Sequence, residues 1–363
     1  MKYNIVKECS KSAYMQLYEL LRKDIVQGIY PYGTKLPSKR LIAEETGISV
    51  ITVEHAYSIL CDEGYVEAHQ RSGYFVIYRE NDFFSHSETA SENTNKYPSR
   101  NLSDSTFPYS VLAKTMRKVL IDYGDSILVK SPNQGCIILR EALCEYLARS
   151  NGMNIRPEQV VIGSGAEYLY SLIVQLFGND KIFAIENPSY EKIRQVYTAN
   201  GAVCDILNLG RNGIKTSELK KTTANILHVT PFNSFPSRIT ANASKRAEYL
   251  RWSEERNGYI IEDNYESELT VSKKNEDTIF SLSENDNVIY LNTFSKTIAP
   301  SMRVGYMVLP EKLLNTFKEK LGFYSCTVPV FEQYVLTELL NSGIFERHIN
   351  RVRRTRRKEK LTD

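Results

Sequence analysis

Between Arg79 and Arg100 the chain turns into a polar run of Ser, Asn, Thr and Glu, typified by Ser85-His-Ser-Glu-Thr-Ala-Ser-Glu-Asn-Thr-Asn95. Such a run has too little apolar surface to offset the entropy of ordering it, so it reads as a flexible linker. A chain interrupted in this way folds as two units. The boundaries expected are a first domain at 1–78, the linker at 79–100, a larger domain at 101–345 and a basic helix at 346–363. With 363 residues, 42% hydrophobic and 25% charged, there is enough apolar material for a core in each.

The short unit is punctuated by glycine, proline and serine at helix limits. Tyr14, Leu17, Leu20, Leu21 and Ile25 recur at helical spacing until Gly28 and Pro31-Tyr-Gly33 stop the pattern. Ser38 is placed to cap a helix from Lys39 to about Thr46, Gly47 makes a turn, and Ser49 caps a third helix to about Glu63. Helix, glycine turn, helix is the helix-turn-helix signature. Gly64-Tyr-Val-Glu-Ala68 and Gly73-Tyr-Phe-Val-Ile-Tyr78 then read as two strands around a polar tip, a wing. Candidate DNA contacts are Ser38 and Arg40 on the second helix, Ser49, Thr52 and His55 on the third, and Gln70 and Arg71 on the wing. Charge qualifies this reading. The net charge is +3, but the last thirteen residues hold seven Lys/Arg against Glu359 and Asp363, while residues 1–80 balance ten basic against ten acidic groups. Phosphate affinity therefore has to come from local placement.

In the longer unit the runs Gln159-Val-Val-Ile-Gly, Lys181-Ile-Phe-Ala-Ile-Glu, Tyr259-Ile-Ile-Glu-Asp and Asn287-Val-Ile-Tyr-Leu are too continuously apolar for half-exposed strands. They suit a buried, mainly parallel sheet with helices on both faces. Three features at strand ends carry chemistry. The turn Ser164-Gly165-Ala166 opens a helix, whose free amides attract an anion such as phosphate. Glu262-Asp263-Asn-Tyr265 ends one strand and Thr293-Phe-Ser-Lys296 ends the next, where α/β sheets place ligands. A lysine amine that can form a Schiff base, with a carboxylate to keep a pyridine nitrogen protonated, is what pyridoxal phosphate requires. Lys296 and Asp263 supply that pair. Thr293, Arg303 and the Ser164 turn are suited to the phosphate, Tyr265 to the ring's phenolic oxygen, and Tyr190, in Glu186-Asn-Pro-Ser-Tyr190, to stacking on the ring. Singly, each has a commoner explanation: a solvated lysine, a capping aspartate. The ordered set is what points to a cofactor.

Other classes are disfavoured. The six cysteines, Cys9 to Cys326, are scattered without paired spacing and read as reduced thiols, with no metal site expected. No apolar run reaches the roughly 18 residues of a membrane span, and the Met1-Lys-Tyr-Asn start lacks an apolar leader segment, so a cytoplasmic protein is expected.

Residues 1–76 resemble a GntR-family winged helix, through Tyr14-Met-Gln16, Gly33-Thr-Lys-Leu-Pro-Ser-Lys-Arg40, Gly47-Ile-Ser49, Thr52-Val53, Ala56-Tyr57, Glu63-Gly-Tyr65 and Gly73-Tyr-Phe-Val76. From about Ser131 the chain resembles a fold-type-I aminotransferase, through Leu139-Arg-Glu-Ala-Leu143, Arg156-Pro-Glu-Gln-Val-Val-Ile162, Thr230-Pro231, Ile261-Glu-Asp-Asn-Tyr265 and Thr293-Phe-Ser-Lys296 to Pro300-Ser-Met-Arg-Val-Gly-Tyr306. The whole is similar to the MocR subfamily, which fuses the two. The fold class implied is α/β: an N-terminal winged helix-turn-helix plus a fold-type-I PLP-dependent transferase-like large domain with a mainly parallel sheet.

By that resemblance Lys296 carries the Schiff base, Asp263 faces the pyridine nitrogen, Arg303 holds the phosphate, and Ser164, Gly165, Ala166, Tyr190, Asn233, Tyr265 and Thr293 complete the cofactor site. The implied function is a DNA-binding transcription regulator, a homodimer, sensing an amine or amino acid by transaldimination at Lys296. A working aminotransferase with an appended DNA-binding domain is the alternative. Three departures stand out. Val50 follows Ser49 where the family has arginine, and Glu54 sits where a base is common. Arg238 replaces a glycine in Thr230-Pro-Phe-Asn-Ser-Phe-Pro-Ser-Arg238. The chain also ends at Asp363, in a basic run expected to be the solvated face of a helix leading into a small C-terminal domain, so that domain's carboxylate-gripping arginine is expected to be missing.

Overall fold

The computed structural model describes residues 3–5, 11–69, 72–78, 107–270 and 277–362, and the chain divides into two units, Met1–Ser99 and Arg100–Asp363. The expected linker and the wing-tip residues Gln70 and Arg71 lie outside the described residues. No helix among those described is long and apolar enough to cross a membrane.

In the first unit, α1 (Ala13–Val26) buries Leu17, Tyr18, Leu21 and Ile25, one stripe of the helix. Ser38 Oγ accepts from the Leu41 N–H at 3.2 Å to start α2 (Lys39–Thr46), which ends at Gly47 with φ +70°. Ser49 Oγ accepts from the Thr52 N–H at 3.1 Å to start α3 (Val50–Asp62), whose inner side is Val53, Ala56, Tyr57 and Leu60. The Tyr57 hydroxyl donates to the Pro37 carbonyl at 2.7 Å and so sets α3 against the entry to α2. Antiparallel β1 (Val66–His69) and β2 (Gly73–Val76) form the wing, with Val66 opposite Val76.

The second unit runs α4 (Tyr109–Tyr123), α5 (Ile137–Asn151), β3 (Val160–Gly163), α6 (Ala166–Phe177), β4 (Ile182–Asn187), α7 (Glu191–Ala199), β5 (Val203–Gly210), β6 (Gly213–Ile214), α8 (Thr216–Lys221), β7 (Ile226–Val229), α9 (Ala243–Glu255), β8 (Tyr259–Asp263), α10 (Ile279–Leu282), β9 (Val288–Thr293), β10 (Gly305–Val308), α11 (Leu314–Leu321), α12 (Val330–Asn341) and α13 (Ile344–Thr362). The sheet order is β3-β10-β9-β8-β7-β4-β5-β6. The pairings from β9 through β5 are parallel; β10 is antiparallel to both its neighbours, as β6 is to β5. Side chains alternate between two apolar layers. Ile162, Tyr290 and Tyr306 join Leu143, Leu336 and Phe345 from α5, α12 and α13. Val161, Leu291 and Met307 join Ile173 and Phe317 from α6 and α11. Cover on both faces is why every residue of β9 is buried.

The apolar runs locate β3, β4, β8 and β9 but not β5, β7 or β10. β5 has only two-residue β6 beyond it and buries a single residue, Leu207, whereas the apolar run of β7 is broken by His228 and that of β10 opens on Gly305. The basic end of the chain departs from expectation only in part: it is a helix, and Arg351, Arg354, Arg357 and Lys358 are exposed. It is not simply a solvated face: Val352 of α13 is buried, and Arg353 Nε donates to the Glu268 carbonyl at 2.5 Å.

Two buried polar groups tie loops to this frame. Glu186, in β4, accepts from Ser234 Oγ at 2.7 Å and holds the loop after β7. Gln333, fully buried in α12, donates to Ser131 Oγ at 2.9 Å and the Val328 carbonyl at 2.8 Å, while its Oε1 accepts from the Cys136 N–H at 2.6 Å.

Replacing Gln333 by Leu strands a buried N–H and a buried carbonyl, and is expected to lower the stability of this unit by about 2–4 kcal/mol, read from its urea transition. Burial pushes the Glu186 carboxyl up to about 8, against about 4.3 for an unfolded glutamate. The native state therefore holds an extra proton between those values. Its contribution is full below about pH 4 and is lost as pH rises through 8. Glu186→Gln is expected to flatten the fall in urea midpoint that the unsubstituted protein shows between about pH 5 and 8.

Candidate functional site

The carboxyl ends of β7, β8 and β9, the turn after β3 and the loop after β4 converge on one cavity of about 550 Å³. Its wall brings together seven of the ten residues expected to hold a cofactor: Ala166, Tyr190, Asp263, Tyr265, Thr293, Lys296 and Arg303. The parallel register explains the meeting. Asp263 ends β8 opposite Leu291 of β9, so Thr293 and the following turn to Lys296 emerge at the same edge.

Asp263 is the buried centre of the site, 2% exposed. Its Oδ2 accepts a short hydrogen bond from the Tyr170 hydroxyl and lies 3.6 Å from His228 Nε2. His228 is in turn 2.6 Å from the Tyr197 hydroxyl through Nδ1. Burial and then the Asp263 carboxylate raise the Tyr170 hydroxyl well above the ordinary tyrosine range, so it remains a donor. The other carboxylate oxygen, Oδ1, is buried with no hydrogen-bond partner among the described residues. A buried lone pair left open at a cavity wall is costly unless a donor arrives.

Lys296 is exposed in the cavity and makes no ion pair or hydrogen bond among the described residues. The Arg303 guanidinium lies against Gly165, whose φ is +92° and where an added Cβ would come within 3.1 Å of Nη2. Glycine is thus needed twice over, for the backbone angle and for the arginine's approach. Arg303 Nη2 is 3.8 Å from Glu167 Oε2, and Glu167 is shared with Lys192. The Tyr265 hydroxyl donates to the Asn233 carbonyl at 3.2 Å; burial and then Glu266 raise it to about 12. The Tyr190 ring meets Phe235 edge-on, centroids 6.5 Å apart. An open carboxylate oxygen, an unengaged amine and a guanidinium beside a helix start together fit a ligand bearing a protonated ring nitrogen, an aldehyde and a phosphate.

Three expected residues stand off the wall. Ser164 gives its N–H to Thr327 Oγ1 at 3.2 Å, and Gly165 acts as the floor under Arg303. Asn233 turns its side chain to Glu266, Nδ2 to Oε2 3.0 Å, and its loop presents Phe235 and Arg238 to the cavity instead. Several residues escaped the sequence reading. Tyr170 sits one helical turn beyond Ala166, a spacing that signalled it; His228 is reached only through the β7–β8 pairing. Arg356 of α13 enters the wall and pairs with Glu266 at 3.0 Å.

In the first unit the expected DNA contacts are partly engaged. The Ser38 and Ser49 hydroxyls cap their helices, and Thr52 Oγ1 lies 2.8 Å from Ser49 Oγ. His55 stacks on Tyr14, centroids 4.2 Å apart, and Glu54 pairs with Lys39 at 2.5 Å. Arg40 is exposed, with no ion pair among the described residues.

Comparison with known proteins agrees with this two-part layout. Residues 13–76 match the model for bacterial regulatory proteins of the gntR family, and residues 91–362 match that for aminotransferase class I and II. The chain is 33% identical over 357 residues to the uncharacterized HTH-type transcriptional regulator YdeL of Bacillus subtilis (strain 168), covering 96% of this chain and 77% of that protein. It is 26% identical to the probable rhizopine catabolism regulatory protein MocR of Rhizobium meliloti, covering 93% of this chain and 74% of the relative. Among solved structures, kynurenine aminotransferase of Pyrococcus horikoshii is similar with a TM-score of 0.63 and 27% identity, over 68% of this chain and 64% of that one. With a gntR-type reader ahead of a class I and II aminotransferase fold, the chain belongs to the MocR subfamily of GntR transcription regulators.

Proposed function

We propose that this regulator binds pyridoxal phosphate in the Lys296 cavity, binds double-stranded operator DNA through its first unit, and responds to a small amine or amino acid. The observation that carries the reading is the open, buried Oδ1 of Asp263 in the same cavity wall as an unengaged Lys296 amine. Bound there, the cofactor supplies an aldehyde that condenses reversibly with primary amines and a ring that draws electrons when its nitrogen is protonated. Asp263 would hold the proton on that nitrogen, its Oδ2 fixed by the hydrogen bond from Tyr170, with His228 Nε2 3.6 Å away. Arg303 and the amides at the start of α6 hold the phosphate. Tyr190 would stack on the ring, with Phe235 edge-on to it. Lys296 would present its amine to that aldehyde, and an effector amine would compete with it there. Because operator half-sites mirror a protein two-fold, the working form is a homodimer.

Borohydride treatment of the PLP-loaded protein, followed by peptide mass spectrometry, is expected to place a pyridoxyl group on Lys296 and to lose it in Lys296→Ala. Label on another lysine, or undiminished in the variant, would refute the site. Asp263→Ala is expected to weaken cofactor binding about ten- to a hundredfold, the worth of a charge-assisted hydrogen bond.

Arg238 sits in a left-handed backbone conformation, φ +59°, with its side chain in the wall and no ion pair among the described residues. Holding a non-glycine residue there costs on the order of 1 kcal/mol, so the arginine supports an effector with a carboxylate. An amino acid is expected to shift the cofactor absorbance at lower concentration than its decarboxylated amine. Arg238→Ala is expected to weaken the amino acid about tenfold while leaving the amine unchanged.

A further inference from the structure

The outward face of α3 lacks the side chains that read purines. Guanine is read by a guanidinium or ammonium and adenine by a carboxamide, and none of Val50 to Asp62 is Arg, Lys, Asn or Gln. The polar groups near the helix start already have partners. Ser49 caps the helix and bonds Thr52, Glu54 is held by Lys39, and the His55 ring lies on Tyr14. What faces solvent on the first turn is apolar: Ile51 is 78% exposed and Val50 40%.

These side chains do not serve the core of their own unit, which α3 fills with Val53, Ala56, Tyr57 and Leu60. They occupy the position at which the second helix of a helix-turn-helix meets base edges in the major groove. The one apolar group on a major-groove base edge is the C5-methyl of thymine. We propose that Ile51, with Val50 beside it, reads thymine methyl groups, so that the sequence preference of this regulator includes thymine within each half-site. The inference rests on the proposed DNA-binding role of the first unit. Arg40, exposed at the start of α2, supplies a phosphate contact that docks the helix without carrying sequence information.

The test uses the full chain to select duplexes from a library of randomised double-stranded DNA. Each thymine of the enriched site is then replaced singly by deoxyuridine, which removes only the methyl group. At one or two positions per half-site the affinity is expected to fall about fourfold, the transfer value of one methyl group. With Ile51→Ala, thymine and deoxyuridine duplexes are expected to bind alike, whereas Arg40→Ala lowers affinity for both equally. Ile51 is exposed, so its replacement leaves the core intact. If the unsubstituted protein selects a defined site but binds thymine and deoxyuridine duplexes equally, the methyl readout is wrong and DNA recognition stands. If no sequence is enriched, both fall.

Discussion

The parallel pairing of β7, β8 and β9 is the constraint from which the site follows. A parallel ladder sets all three carboxyl ends at one edge, and the register His228–Ile261 and Asp263–Leu291 decides which side chains arrive there together. A slip of one residue would turn Asp263 to the other face of the sheet. The buried bond from Tyr170 and the approach of His228 are both to the same carboxylate oxygen, and the second oxygen has no hydrogen-bond partner among the described residues. That arrangement depends on α6 and β7 flanking β8, so the electrostatics of the site are a property of the sheet order.

The stretch after β8 extends the site toward the C-terminal helix. Glu266 joins Asn233 on one side and Arg356 on the other, while Arg353 and Arg356 of α13 take the carbonyls of Glu268 and Leu269. Burial pushes the Glu268 carboxyl up to about 7, and its Oε1 accepts from Asn292 Nδ2 at 2.6 Å. The segment carrying Asp263 and Tyr265 is thus fastened at its far end to a helix whose charge composition alone suggested only solvent exposure.

The DNA-reading unit shows the opposite economy of charge. Its core is an ordinary three-helix and wing packing around Leu17, Leu21, Tyr57 and Leu60, but Lys39 is neutralised by Glu54 and the recognition helix carries no cation. Shape and apolar contact are what such a surface offers beyond the phosphate contacts, since α3 has no Arg, Lys, Asn or Gln for a purine edge and its Glu54 is held by Lys39.

The sequence by itself determined the local elements and the chemistry at their ends. Ser38, Gly47 and Ser49 set the limits of α2 and α3 because caps and a left-handed turn are local demands of the backbone. The continuous apolar runs at β4, β8 and β9 announced a sheet covered on both faces, and Asp263 and Lys296 could be placed at the ends of successive strands, where the structure gathers them with Arg303 on one cavity wall. Only the tertiary structure decided what depends on neighbours distant in the chain. It brought Tyr170 and His228 to Asp263, turned Asn233 away from the cavity in favour of Phe235 and Arg238, and drew Arg356 inward to Glu266. Those outcomes depend on strand order and helix packing, which residue spacing along one segment does not encode, because the contacts that fix them join residues scores of positions apart.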